Sequence, residues 1–167
     1  MTTETRQNTF YSDTLVRFSH CDPAGIIFYP HYFVMFNGLV EDWFNHALDI
    51  NYADFISKRR LGLPMVNIQC DFIAPSMIGE TITLSLRIER IGNSSIRLLT
   101  KALYQGTVRV SARLTICVNA FTDGRAVPIP ADLRARLADF MDPAKPNEKG
   151  PAQGFQDRPS RSVLPNL

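Results

Sequence analysis

No apolar run in the chain approaches the roughly 20 residues needed to cross a bilayer, and the polar start, Met1 to Asn8, lacks the apolar core of a secretion signal. Cysteine is scarce. Cys21, Cys70 and Cys117 are too few and too unevenly spaced for a metal-knuckle or disulfide framework, and an odd number of thiols fits a reducing compartment. Charge of one sign is also lacking. A net charge of +2 over 167 residues gives no strong field, and no basic cluster of the kind that grips nucleic acid stands out. These absences point to a cytoplasmic protein that needs neither membrane nor nucleic acid. What remains is an ordinary globular composition, 45% hydrophobic and 20% charged, at the size of one domain.

The alternation of apolar residues carries the fold reading. Residues 13–19 and 64–74 read as strands. Over 81–91, Ile82, Leu84, Leu86 and Ile88 fall on one side and Thr83, Ser85, Arg87 and Glu89 on the other. Gly92-Asn93 and Gln105-Gly106 separate further strands. The last is long, with Val108, Val110, Ala112, Leu114, Ile116, Val118 and Ala120 on one face and Arg109 and Arg113 on the other. Residues 30–48 have helical spacing instead. Phe36, Val40, Trp43 and Ala47 fall at i, i+4, i+7 and i+11, and Tyr32, Phe33, Met35, Leu39 and Phe44 widen the stripe until the helix must be buried. Short helices are predicted over 52–59 and 131–141. Strand, long helix, then antiparallel strands is an α+β layout, a curved sheet wrapped around one helix. There are no internal repeats. The tail, 142–167, holds five of the eleven prolines and one aromatic, Phe155, too little apolar surface to fold alone, so it is predicted to be a mobile or partner-bound arm beyond a domain at 1–141.

The chemistry concentrates between Arg17 and Tyr32. Asp22 sits in a tight Pro-Ala-Gly turn just before the buried helix, and Pro30 suits that helix's first turn. Amides at a helix start have no partner within the helix and favour negative charge. A carboxylate poised there is placed for acyl transfer, with amides near Phe28 and Tyr29 holding the oxyanion. From the residues alone, an Asx turn or a cap is the more frequent role of an aspartate before proline. His20 and His31 flank the loop as orienting, substrate-touching or plain capping residues. Cys21 reads as a packed thiol, Glu41 and Asp42 as polar-face or interface residues of the helix, Asp71 as a strand carboxylate open to a cross-subunit pair, and Phe36 and Trp43 as core.

The segment Cys21-Asp-Pro-Ala-Gly-Ile-Ile-Phe-Tyr-Pro-His-Tyr32 resembles the active-site segment of the 4-hydroxybenzoyl-CoA thioesterase family. The likeness is close from Phe18 to Tyr32. It extends more weakly to about residue 141 through the strand order, Pro64 and the Asp123-Gly124 turn. It implies a hotdog fold, hydrolysis of a small, aromatic acyl-CoA, and no metal or organic cofactor. By the same resemblance Asp22 is the catalytic carboxylate, as nucleophile or general base, and the Tyr29 N–H polarises the thioester carbonyl. Phe28, His31 and Tyr32 then contact substrate. Active sites are implied across the interface of a homodimer or homotetramer. The chain departs from the family's pattern at Asn37, where the 4-hydroxybenzoyl enzyme has an aspartate for the substrate's phenol. It departs again at the basic cluster for CoA phosphates, where Arg90, Asn93, Ser94 and Arg97 are the candidates here. An acyl-carrier-protein thioesterase and a non-catalytic acyl-CoA-binding module are the alternatives.

Overall fold

The computed structural model of the protein describes residues 2–6 and 8–141; the arm predicted over 142–167 lies outside the described residues. Strands β1 (Thr3–Arg6), β2 (Thr9–Leu15), β3 (Leu61–Gly62), β4 (Met65–Phe72), β5 (Thr81–Ile91), β6 (Ser95–Tyr104), β7 (Thr107–Cys117) and β8 (Asn119–Ala120) accompany helices α1 (Pro30–His46), α2 (Tyr52–Ser57) and α3 (Ala131–Ala138). Six strands form one antiparallel sheet in the order β1-β2-β5-β6-β7-β4, and β3 pairs with β8 apart from it.

Alternation does what the sequence predicts. Ile82, Leu84, Leu86 and Ile88 of β5, Ile96 and Leu98 of β6, and Val110, Ala112, Leu114 and Ile116 of β7 are all buried on the inner face. There they meet α1, which buries Tyr32, Phe36, Leu39, Val40, Trp43 and Phe44. Burying each of the large side chains stabilises the fold by about 1.5–3 kcal/mol, so this stripe is what holds the helix in the sheet's curve. Phe140 closes the far end edge-on against Trp43 at 5.6 Å. Gly62 marks a forced contact between the β3–β8 pair and its neighbours: a Cβ there would lie 2.5 Å from both Asn119 Oδ1 and Phe121 Cε1.

Three expectations need correction. The strand predicted over 13–19 runs from Thr9 to Leu15, with β1 before it. Phe18–His20 is instead a 3-10 turn, because His20 Nδ1 accepts the Arg17 N–H at 3.1 Å and the Phe18 carbonyl accepts from Cys21 N–H. On β7 the single face from Val108 onward is broken. Ala102 pairs with Val110 and Leu103 with Val108, so Arg109 is the extra residue of a bulge. Arg109 therefore does not share a face with Arg113. Its guanidinium stacks on Tyr104 at 5.4 Å, whereas Arg113 pairs with Glu89.

Among the described residues, β4 ends the sheet with one edge unpaired, and its residues are exposed on both faces except half-buried Cys70. Among the described residues, no helix is long and apolar enough to cross a membrane.

Candidate active site

The Asp22 loop is a miniature hairpin. Cys21 bridges Ile27, Asp22 N–H donates to the Ile26 carbonyl, and the Asp22 carbonyl accepts from Gly25 N–H at 2.9 Å. Gly25 adopts φ +75°, which only a residue without Cβ takes at no cost. Asp22 Oδ1 accepts the Ala24 N–H at 2.9 Å, an Asx turn. The structural and the chemical readings of this residue thus coexist. One carboxyl oxygen sets the turn, while Oδ2 has no hydrogen-bond partner among the described residues.

The amides beside it sort differently from the simple helix-end argument. Phe28 N–H is taken by the His20 carbonyl at 2.9 Å, and His31 and Tyr32 N–H fold back to the carbonyls of Phe28 and Tyr29. Pro30 has no N–H. Tyr29 N–H has no acceptor among the described residues, so of the two amides expected to hold an oxyanion only that of Tyr29 is open. Asp22 and Tyr29 line one cavity of about 510 Å³ with Ile26, Ile27, Phe28, Tyr32 and the segment Phe72 to Pro75. Its wall is aromatic: Phe72 lies 6.2 Å from Tyr29 and 6.0 Å from Tyr32, and Phe28 meets Tyr29 edge-on at 5.2 Å.

The segment from Phe72 to Pro75 is a wall that the sequence reading missed, having continued the strand through it. The chain there leaves β4, and the Ile73 and Ala74 amides both bond the Arg109 carbonyl at the bulge. Pro75 was the available signal.

Other predicted residues are not brought together here. His31 packs on Phe28 and on the His20 ring at 5.8 Å and does not line the cavity; Asn37 is exposed on α1 and does not line it either. Glu41 and Asp42 join Arg17 and His20 at a separate cavity of about 600 Å³ between α1 and β2. Arg90 and Arg97 are direct cross-strand partners and border a small cavity of about 180 Å³ with Gly92, Ser95 and Thr115. Arg97 is five residues from Ala102, the level of Phe72, and so on the order of 20 Å along the strand from the Asp22 end. The carbonyls of Asn93 and Ser94 are occupied by Ile129 and Val118 N–H, and the Gly92 amide by the Ser95 carbonyl, so the turn offers fewer free groups than its sequence promised. Cys21 donates its thiol to the Arg17 carbonyl, and burial followed by the Asp22 charge pushes that thiol up, away from nucleophilic duty. Among the described residues no group of three His, Cys, Asp or Glu is placed to hold a metal ion.

Partial burial, then the neighbouring His31 and Arg17, hold the His20 imidazole below its ordinary value of 6.5. The folded chain therefore binds this proton less readily than the unfolded one. His20's contribution to stability is intact above about pH 6.5 and is lost as pH falls through its lowered pKa. The wild-type chain is expected to lose more melting temperature between about pH 7 and about pH 5 than His20→Gln, whose amide oxygen keeps an acceptor for Arg17 N–H. Parallel melts at the two pH values check this; equal losses would remove His20 as the cause.

A long buried helix against an antiparallel sheet, with Asp22 and Tyr29 among the residues lining one cavity at the helix start, matches a hotdog-type thioester hydrolase. The chain belongs to the thioesterase-like superfamily, which it matches over residues 16–137. The family likeness read in the loop thus holds at the level of the superfamily, broader than its 4-hydroxybenzoyl branch. A 1,4-dihydroxy-2-naphthoyl-CoA hydrolase from Nostoc punctiforme is 26% identical over 161 residues, covering 93% of this chain and 99% of that protein. Among solved structures, a gentisyl-coenzyme A thioesterase superimposes with a TM-score of 0.70 at 24% identity, over 76% of this chain and 98% of that one. A 1,4-dihydroxy-2-naphthoyl-CoA thioesterase from Synechocystis does so with 0.72 at 20% identity, over 78% and 96%. These structural likenesses establish the hotdog fold.

Proposed function

We propose that the protein hydrolyses a small aromatic acyl-CoA to the free acid and CoA, with Asp22 as nucleophile or general base and the Tyr29 N–H as oxyanion donor. The observation that carries this reading is the meeting of Asp22 and the open Tyr29 amide in one aromatic-walled cavity. The thioester carbonyl oxygen accepts from Tyr29 N–H, and the carbonyl carbon is attacked by Asp22 Oδ2 or by water that Asp22 deprotonates. Charge growing on the oxygen is met by an amide already in place at a helix N-terminus. When water attacks, Asp22 hands the proton it removed to the departing sulfur and CoA leaves as the thiol; when Asp22 attacks, CoA leaves as the thiolate and water then hydrolyses the acyl–Asp22 anhydride to the free acid and the restored carboxylate. Phe28, Tyr32 and Phe72 favour a flat acyl ring, which packs on aromatic faces. The relatives named for dihydroxynaphthoyl and gentisyl esters agree with an aromatic acyl group.

The working unit is a homodimer joined through β4, itself able to pair into a tetramer. The exposed edge carries Val66, Ile68 and Phe72, with Ile73 just beyond. Such an edge is covered by a second strand in a stable protein. Two-fold pairing inverts the second copy. Its Arg90–Arg97 end then comes level with the first copy's Asp22, where a CoA phosphate reaches it. Arg90, Asn93, Ser94 and Arg97 serve as this carrier subsite. Arg90→Ala with Arg97→Ala is expected to raise KM for the CoA ester about tenfold and leave kcat within about twofold, the pattern of lost uniform binding. Steady-state kinetics at several salt concentrations measure it; an unchanged KM would remove these arginines from the CoA path.

The test of the function is thiol release from benzoyl-, hydroxybenzoyl-, phenylacetyl- and straight-chain acyl-CoAs by the purified chain. Preference for one aromatic ester supports the proposal. Binding without release from any of them would overturn it.

A further inference from the structure

Tyr32 lines the Asp22 cavity, yet its hydroxyl is engaged elsewhere. It donates to Ser76 Oγ at 2.9 Å, a bond between two side chains buried to 3% and 0% exposure. Ser76 is the first residue of a short splint laid along the catalytic hairpin. Its carbonyl accepts from Ile27 N–H at 3.0 Å, Met77 bridges Ile26, and Ile78 N–H donates to the Gly25 carbonyl at 3.0 Å. The splint is itself fixed, with Met77 N–H on Glu80 Oε2 and Gly79 N–H on the Val16 carbonyl.

The two groups of the proposed reaction ride on different supports. Asp22 belongs to the hairpin, which the splint holds. Tyr29 belongs to the start of α1, which the core holds. Two links join these supports besides the covalent chain. One is the bond from Phe28 N–H to the His20 carbonyl. The other is Tyr32, one turn into α1, reaching across 44 residues of sequence to Ser76. A buried hydroxyl pair is costly to leave half-satisfied, so this link is strongly directional.

We propose that the Tyr32–Ser76 hydroxyl pair is a positioning device for thioester hydrolysis, locking the helix end that carries the Tyr29 amide to the splint that carries Asp22. It rests on the function proposed above and assigns these residues a task distinct from lining the acyl pocket. Tyr32→Phe keeps the ring in the cavity wall and removes the link alone. A misplacement of about 1 Å between reacting groups is enough to cost on the order of 100-fold in rate.

The experiment compares Tyr32→Phe, Ser76→Ala, their double variant and Ser76→Thr with the wild-type chain. Benzoyl-CoA serves as substrate and phenacyl-CoA as a non-hydrolysable carbonyl probe. Either single change is expected to lower kcat by about 10- to 100-fold with KM within about twofold. The double variant should be no worse than the poorer single one, because both remove the same link. Ser76→Thr, which keeps a hydroxyl, should recover most of kcat. The carbonyl stretch of bound phenacyl-CoA, lowered in the wild type by hydrogen bonding to Tyr29, should move back toward its free value in Tyr32→Phe. A merely structural role would lower the melting temperature without moving that band. Full kcat in folded Tyr32→Phe, or a fall in kcat with the carbonyl band unmoved, would overturn the inference while leaving the function standing. No turnover by the wild-type chain of benzoyl-CoA or of any other ester named above would instead overturn the function, and this inference with it.

Discussion

Asp22→Asn is expected to lower kcat for thioester hydrolysis by about 10²–10⁴-fold while the fold and the cavity persist. The substitution is informative because of how the carboxyl group is shared. Oδ1 accepts from Ala24 N–H and sets the turn, and an asparagine oxygen takes over that bond. What is lost is the charge and basicity at the other position, next to the open Tyr29 amide. Asp22→Ala removes both functions, so it should lose activity to a similar extent and also cost about 1 kcal/mol of stability through the turn. Thiol release combined with thermal melts separates the two contributions. Full activity in Asp22→Asn would move the chemistry to another group. Single-turnover hydrolysis in labelled water then distinguishes the two roles: label found in the Asp22 carboxylate after that turnover means direct attack.

Ile68→Lys should give a folded monomer with kcat/KM lowered by about two orders of magnitude, comparable to losing a central interface residue. Ile68 faces inward opposite Leu114, yet stays 37% exposed because, among the described residues, nothing flanks β4 on its far side. An inward-pointing lysine on an edge strand is how monomeric sheet proteins forbid edge pairing. Within its own chain the lysine ammonium still reaches solvent past that open edge. The damage is therefore confined to the proposed strand pairing between copies, and with it to the carrier subsite proposed on the second copy. Sedimentation and the thiol assay on one sample decide the matter. A persistent dimer, or a monomer with full activity, would remove β4 from the working unit.

Sequence patterning made the centre of the sheet legible and its margins less so. The bounds of β5 follow from alternation because its inner residues are wholly buried, and those of β6 from the turns on either side. The bulge at Arg109 is silent in sequence, since valine and arginine suit either side of a strand; it becomes visible only when β6 is laid beside it. The 3-10 turn at Phe18–His20 depends on a side chain capping a backbone amide, which hydropathy does not register. Near the proposed site, the turn holding Asp22 just before the buried helix was readable because it is a local feature. The occupancy of the Phe28 amide was not, because its partner is the His20 carbonyl on the other arm of the hairpin. Asn37, His31 and the Arg90–Arg97 pair were placed by correspondence along the chain. Correspondence carries no distance, so the roughly 20 Å between the arginines and Asp22 within one subunit emerged only from the sheet. Ser76 left no trace at all in the sequence, a small polar residue in a loop whose burial follows from tertiary packing alone.

The pairing of Val16 with residues 79 and 80 has a topological meaning. Val16 N–H donates to the Glu80 carbonyl and Gly79 N–H to the Val16 carbonyl, so the chain departs and returns at one gate. Between those two points lie Asp22, Tyr29, the aromatic wall and the exposed edge of β4. The strands beyond the gate, β5 to β7, supply the platform for whatever this excursion carries. Divergence in substrate choice and in subunit pairing can therefore accumulate inside a single stretch of the polypeptide, while the central register inherits almost no change.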